Sequence, residues 1–256
     1  ERVIISQTSS PEWITYFAVP QDTLLKLVII PMSLASTLYP VVSARWGMPE
    51  GAAFSRRIYH DSVRYAYYVL LPAVFVGVVF SGDILRLWLG DAFAARSGDV
   101  FAMVAFGVLF HALAQLPNTL ILGSGRPHIT ARLLLVELLP YVGLCYWFTS
   151  MWGVKGAALA WLIRVVLETA YLFIRVRTLW EGSDTIIAYA YLWKGAALLL
   201  CCGLPVLGAR YLGIGTIASV AVMAGFVVVY ALSLWFVVFA RDDRGRLLGV
   251  FRPAGT

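Results

Sequence analysis

Seven apolar segments, each long enough to cross a lipid bilayer, follow one another along the sequence. A bilayer core about 30 Å thick needs about 20 apolar residues in a helix. The segments of this length lie at roughly 14–42, 66–89, 100–122, 131–149, 156–174, 187–208 and 214–239. The sequence therefore predicts an all-α, polytopic transmembrane helix bundle of about seven spans.

The first segment is longer than one span needs and contains Pro20, Pro31 and Pro40. Proline interrupts the hydrogen bonding of a helix, so we expect a tilt or a kink here rather than a second crossing. No linker separates the seven segments, which predicts one domain over residues 1–256. The opening residues, ERVII, are typical of the end of a membrane helix, so we expect the carboxy-terminal part of a longer protein.

Composition supports a membrane protein and argues against nucleic-acid binding. Hydrophobic residues make up 61% of the chain and charged residues 13%, whereas soluble domains carry about 25% charged residues. The net charge of +6 is spread between apolar runs rather than gathered in one patch, so no nucleic-acid partner is expected. Cys145, Cys201 and Cys202 all lie in hydrophobic segments, which argues against a disulfide framework.

Arginine and lysine between the spans predict the orientation, because cytoplasmic loops are enriched in both. One set of loops and the tail carry twelve: Arg45, Arg56, Arg57, Arg64, Arg126, Arg132, Arg175, Arg177, Arg241, Arg244, Arg246 and Arg252. The opposite loops carry five: Arg2, Arg86, Arg96, Lys155 and Arg210. We therefore predict a multi-pass membrane protein with a cytoplasmic carboxy terminus. The longest loop, near residues 43–65, would also be cytoplasmic.

The fifth span, within GVKGAALAWLIRVVLE, carries two charges that cannot face lipid cheaply. Ala157, Ala160, Arg164 and Glu168 follow at steps of four, three and four, so they share one helix face. A charge at the bilayer centre costs about 2.5–3.5 kcal/mol, and small residues let a second helix approach closely. This face is expected to look into the bundle.

Three other spans carry polar faces at helical spacing. They are Asp22, Lys26, Ser33 and Thr37 on the first, His111, Gln115 and Asn118 on the third, and Glu137 and Tyr141 on the fourth. At about 1.5 Å per residue, Arg164, His111 and Lys26 lie near the membrane midplane, with Glu137 and Glu168 closer to the cytoplasm. Cations therefore dominate at the midplane.

Each polar face also has a purely structural interpretation. Asp22 with Lys26, and Arg164 with Glu168, are pairs four residues apart that could neutralise each other inside a bundle. Glu137 on the neighbouring helix competes with Glu168 for the same arginine. His111 alone is typical of a core histidine, and only its alignment with Gln115 and Asn118 favours a cavity lining.

No constellation points to catalysis. The three histidines are scattered, no cysteine–histidine spacing fits a metal site, and no nucleophile lies beside a base. The stretch GSGRP at 123–127 lacks the ending of a phosphate-binding loop and predicts a tight turn. We therefore expect no enzyme activity, no cofactor and no metal.

The stretches ERVIISQTSSPEWITYFAVP, SLASTLYPVVSA, ILRLWLGDAF, LILGSGRP and WGVKGAALAWLI resemble the carboxy-terminal lobe of bacterial polysaccharide-biosynthesis flippases, in the multidrug/oligosaccharidyl-lipid/polysaccharide superfamily. The resemblance implies one lobe of a two-lobe fold like that of multidrug and toxin extrusion transporters. It implies translocation of a polyprenyl-pyrophosphate-linked oligosaccharide across the bacterial inner (plasma) membrane, for surface polysaccharide such as O-antigen or exopolysaccharide. Membrane lipids would be further partners.

An anionic pyrophosphate and a hydroxyl-rich glycan suit the polar faces described above. We expect the substrate cavity to be lined by Lys26, His111, Gln115, Asn118 and Arg164. Asp22, Glu137 and Glu168 are predicted as charge partners or as sites that couple transport to H⁺ or Na⁺. The first, third, fourth and fifth spans would form this concave surface, with the last two peripheral.

Two other functions stay open. A drug/cation antiporter of the same superfamily would need an acidic cavity, which the midplane cations argue against. A membrane-embedded glycan polymerase or glycosyltransferase would need an acidic residue on a large periplasmic loop, and the loops here are short.

Overall fold

The computed structural model describes residues 4, 11–48, 50–179, 190–211 and 216–235. Within these residues the chain forms helices joined by short turns and contains no strand, which confirms the all-α prediction. The chain divides into two compact units, Glu1–Ala188 and Tyr189–Thr256.

In the described part of the chain, the first unit holds seven α-helices and the second unit two. Those of the first unit are α1 (Pro11–Leu24), α2 (Ile29–Arg45), α3 (Gly51–Val79), α4 (Ser81–Leu89), α5 (Asp91–Gly123), α6 (Pro127–Trp152) and α7 (Val154–Arg177). A turn of 3-10 helix, Leu25–Val28, joins α1 to α2. In the second unit, α8 (Ala190–Tyr211) packs against α9 (Thr216–Ser233).

Among the residues of the first unit that the structure describes, five helical stretches are long and apolar enough to cross a membrane. They are Trp13–Arg45, Gly51–Val79, Asp91–Gly123, Pro127–Trp152 and Val154–Arg177. The sixth and seventh predicted spans correspond to shorter apolar stretches, Leu192–Gly208 and Ala221–Ser233. The prediction of a polytopic helix bundle is therefore confirmed, whereas the cytoplasmic tail at 241–256 lies outside the described residues.

The first span contains the expected irregularity. Its α-helix changes to 3-10 geometry at Leu25–Val28, and the Ile29 N–H points to the Lys26 carbonyl three residues earlier. Pro31 has no N–H to donate to the Leu27 carbonyl, which removes one α-helical hydrogen bond at this point. The helix then continues to Arg45 as one stretch, so a break within a single span was correctly predicted.

The predicted limits of the second span, 66–89, are wrong at both ends. Helix α3 begins at Gly51, and the helix from Ser81 to Leu89 is a separate element after a break at Phe80, where φ is −105° and ψ is 19°. The long loop expected near residues 43–65 is therefore mostly helix. A hydropathy window misses this region because it carries several charges, although Tyr59 and Val63 bury one of its faces.

Helix α5 is the centre of the first unit and packs against α1, α2, α3, α4 and α7. Its Gly107 leaves room for the Trp161 indole of α7, because a Cβ there would overlap that ring. Ala157 and Ala160 of α7 are fully buried. The prediction that the small face of α7 permits close helix packing is confirmed.

Candidate functional site

Arg164 lies between two carboxylates at the contact of α6 and α7. Its Nη2 and Nε donate to Glu137 Oε1 at 2.8 and 3.2 Å, and Nη2 also reaches Glu168 Oε2 at 3.4 Å. The Tyr141 ring, one turn beyond Glu137, lies 5.2 Å from the guanidinium carbon. Arg164 thus contacts both glutamates that the sequence analysis named as its possible partners, and Glu137 is the nearer one.

These side chains are held by a tight turn between two antiparallel helices. Gly153 joins α6 to α7 with φ of +58°, a conformation that glycine adopts without strain. Close to the turn, α7 approaches α6 so tightly that a Cβ on Gly156 would overlap the Phe148 carbonyl. Farther from the turn, the Arg164 side chain reaches Glu137 across the contact of the two helices, and Glu168 follows Arg164 by one turn on α7.

The charged cluster forms part of the wall of an otherwise apolar groove between α6 and α7. The groove has a volume of about 360 Å³, and side chains such as Leu133, Val136 and Ile163 line it. The side chains of Arg164, Glu137 and Glu168 are only 23%, 16% and 14% exposed. Charges this sheltered interact strongly, because little water screens them.

His111 of α5 lies beside this cluster. Its ring is 6.3 Å from that of Trp161, one turn before Arg164 on α7. Its Nδ1 is buried and has no hydrogen-bond partner among the residues that the structure describes. His111 is therefore close enough to respond to the charge of the cluster without being bonded to it.

The two amides of α5 face different surroundings. Gln115 lines a separate groove of about 360 Å³ between α2 and α5, together with Ser36, Tyr39 and Thr119. Asn118 accepts a 3.0 Å hydrogen bond from Thr130 and so ties α5 to the start of α6. The alignment of these residues with His111 on one helix does not bring them to one groove.

Lys26 and Asp22 lie on an exposed face of the first span. Neither residue lines the groove of Arg164 or the groove of Gln115. The hydroxyls of Ser33 and Thr37, on the same predicted stripe, donate to carbonyls of their own helix. The structure thus brings together Arg164, Glu137 and Glu168, whereas a cavity shared with Lys26 and Gln115 stays a prediction.

The two ends of the first unit differ in charge, as the loop counts predicted. Because the helices alternate in direction, Arg45, Arg56, Arg126 and Arg175 lie at one end of the unit. The opposite end, where α1, α5 and α7 begin, carries Lys155 and few other cations. The absolute orientation in the membrane stays a prediction.

Sequence reasoning missed a groove at that opposite end. It has a volume of about 510 Å³, and its lining includes Trp13, Arg96, Trp152 and Lys155. The sequence analysis counted the two cations only as loop charges. A visible signal was the pattern Trp152-Gly153-Val154-Lys155, which sets an indole and an ammonium group on either side of a glycine turn.

Comparison with known proteins finds a similarity to a protein named as a transporter. Over 185 residues the chain is 29% identical to a Shigella flexneri protein described as "Putative O-antigen transporter". The resemblance to the polysaccharide flippase family is thereby confirmed. The match covers 71% of this chain and 43% of that relative, so the chain spans less than half the length of the relative. No family model matches the chain, and no solved structure is significantly similar to it.

Proposed function

We propose that this chain is one lobe of a flippase that moves a polyprenyl-pyrophosphate-linked oligosaccharide across the bacterial inner membrane. The observation that carries the proposal is the sheltered Arg164–Glu137–Glu168 cluster inside two membrane-length helices. Ionisable groups at such positions are costly and usually mark a substrate or ion pathway. The similarity to an O-antigen transporter favours a polysaccharide as the cargo.

In this proposal the carboxylates and the substrate compete for the guanidinium of Arg164, so protonation of a carboxylate controls substrate binding. With both carboxylates ionised, the cluster is net negative and Arg164 is already occupied. A pyrophosphate can take the guanidinium only when a proton neutralises Glu137 or Glu168, since phosphate and carboxylate use the same donors. Loss of the proton to water then restores the ion pair and releases the substrate. In this cycle the proton enters from the same side as the substrate and leaves with it, so protonation controls binding and release rather than driving export, and His111 shapes the field around the cluster.

Export of surface polysaccharide by the full-length protein tests the role of Arg164. Arg164→Lys should keep part of the export and Arg164→Gln should lose most of it, at equal protein levels in the membrane. Arg132→Gln is the matched control, because it removes an exposed arginine from α6 outside the groove. Export should be unchanged in this control.

Because Glu137 is the closer partner, replacing Arg164 and Glu168 alone would leave one carboxylate unpaired. The informative variant therefore changes all three residues to glutamine, so that no buried charge lacks a partner. If the triple variant exports normally, Arg164 only neutralises its neighbours and the substrate role is rejected. Continued loss of export shows that the three side chains do more than neutralise one another, and the milder loss in Arg164→Lys than in Arg164→Gln then supports direct binding of an anionic substrate.

The net negative cluster also suits a second function, a drug/cation antiporter. In that case Glu137→Gln and Glu168→Gln would abolish efflux of a cationic dye such as ethidium, and Arg164→Gln would leave or increase it. If the chain belongs to a flippase, Arg164→Gln lowers polysaccharide export, and none of these variants changes ethidium efflux.

A further inference from the structure

The groove at the start of α1, α5 and α7 has the features of a ligand site. Its volume of about 510 Å³ lies in the range of about 300–1,000 Å³ that small-molecule sites occupy. Two indoles, Trp13 and Trp152, and two cations, Arg96 and Lys155, line it. The cluster around Arg164 contributes no residue to this lining.

Arg96 is held in place by an aromatic cluster. Its Nη1 donates to the Tyr16 hydroxyl at 2.9 Å, and its guanidinium carbon lies 5.5 Å from the centre of the same ring. Tyr16 in turn packs against Trp13 and Phe93, with ring centroids 5.5 and 4.9 Å apart. The Ser97 hydroxyl donates to the Tyr16 carbonyl at 2.6 Å and fixes α1 against α5.

This arrangement leaves most of the hydrogen-bond donors of Arg96 available to bind an anion. One hydrogen bond to Tyr16 uses only a small part of the donors of a guanidinium. No carboxylate pairs with Arg96 among the residues that the structure describes. Lys155, in contrast, already forms an ion pair with Asp99, in which both side chains are more than half exposed. An exposed pair of this kind is weak, so a stronger anion can replace Asp99.

The indoles add recognition of a second chemical group. Trp152 is half exposed on the other side of the Gly153 turn from Lys155, and Trp13 is partly exposed near Arg96. An exposed aromatic face offers a flat apolar surface to the C–H face of a sugar ring, next to donors that hold a charged substituent. A ligand that combines a sugar with an adjoining phosphate therefore fits this lining better than either part alone.

We propose that this groove binds the sugar phosphate at the lipid-proximal end of the glycan, once the substrate has reached the periplasmic side. The sugar ring lies on Trp152 and Trp13, and the phosphate contacts Arg96 and Lys155. The inference rests on the proposed function and on the predicted orientation, which places this end of the bundle in the periplasm. There the pyrophosphate of a translocated lipid carrier lies at the membrane surface.

Titration calorimetry on the purified full-length protein tests the site with soluble probes. Glucose 1-phosphate should bind at least tenfold more tightly than glucose or inorganic phosphate. Arg96→Gln should weaken glucose 1-phosphate binding about tenfold, the usual effect of losing a charged hydrogen bond, and leave glucose binding unchanged. Trp152→Ala should weaken both sugars and leave phosphate binding unchanged.

Matched controls separate this site from general effects of charge and aromatic surface. Arg86→Gln removes a cation at the same end that pairs with Asp91 outside the groove, and Trp147→Ala removes an exposed indole of α6 outside it. Both variants should bind glucose 1-phosphate like the parent protein. Equal losses in Arg86→Gln and Arg96→Gln would overturn the proposal.

Glycerol 1-phosphate distinguishes a glycan site from a site for phospholipid headgroups. It should bind no better than inorganic phosphate, and binding equal to that of glucose 1-phosphate would overturn the proposal. Arg164→Gln separates this inference from the proposed function, since it should lose export and keep glucose 1-phosphate binding. If binding fails while the export result holds, only the periplasmic site is rejected.

Discussion

Glu137 should contribute more to stability than Glu168, although both carboxylates contact Arg164. The test is to replace each with glutamine, which keeps the shape of the side chain and removes its charge. Both substitutions also remove the same repulsion between the two carboxylates. That repulsion therefore cancels when the two variants are compared, and the difference reports the contacts with Arg164 alone.

The expected difference follows from the observed distances. With an effective dielectric constant of about 20, two unit charges attract by about 6 kcal/mol at 2.8 Å and about 5 kcal/mol at 3.4 Å. Glu137 also accepts a second hydrogen bond, from Nε at 3.2 Å, which the amide oxygen of glutamine can still accept. Glu137→Gln should therefore lower the free energy of unfolding by about 1 kcal/mol more than Glu168→Gln does.

Reversible unfolding of the purified full-length protein in mixed micelles, by titration with sodium dodecyl sulfate, measures this difference. Asp99→Asn is the control, since it breaks an exposed ion pair of α7 that is worth about 0–1 kcal/mol. Equal destabilisation by the two glutamate substitutions, or a larger effect of Glu168→Gln, would refute the assignment of Glu137 as the main partner.

Three further predictions concern packing, the turn and topology. Gly107→Ala should cost about 1–3 kcal/mol of unfolding free energy by forcing a methyl group into Trp161, measured by the same titration. Gly153→Ala should cost about 1–3 kcal/mol because of its positive φ, although no atom obstructs a Cβ there. Ala53→Cys should be labelled by a thiol reagent only from the cytoplasm and Ala92→Cys only from the periplasm, in a background without the native cysteines. The reverse pattern would contradict the orientation.

The membrane spans could be predicted from sequence because long apolar runs have few alternative structures. The prediction was weakest where a helix extends beyond its apolar segment into charged sequence. The first turns of α3 contain Arg56, Arg57 and Asp61, so composition alone reads them as a loop. Only the packing of Tyr59 and Val63 against the rest of the unit shows why they are helical.

The candidate site was predicted in part for a similar reason. Periodicity identifies residues that share one helix face, and Arg164 and Glu168 do contact each other on α7, with Glu137 of α6 as the competing partner. It cannot say which faces of different helices meet, because that depends on helix packing. Gln115 and His111 are one turn apart on α5, yet Gln115 lines the groove against α2 and His111 lies near Trp161 of α7.

Under the proposed function, the two sites on α7 suit the passage of one anionic group. Lys155 and Arg164 are nine residues apart, which is about 14 Å along the helix axis. Each of these cations already has a carboxylate partner, Asp99 or Glu137, that competes with a phosphate. A transport site must bind well enough to admit its substrate and weakly enough to release it. The carboxylates that compete with anion binding would then be what allows the substrate to leave.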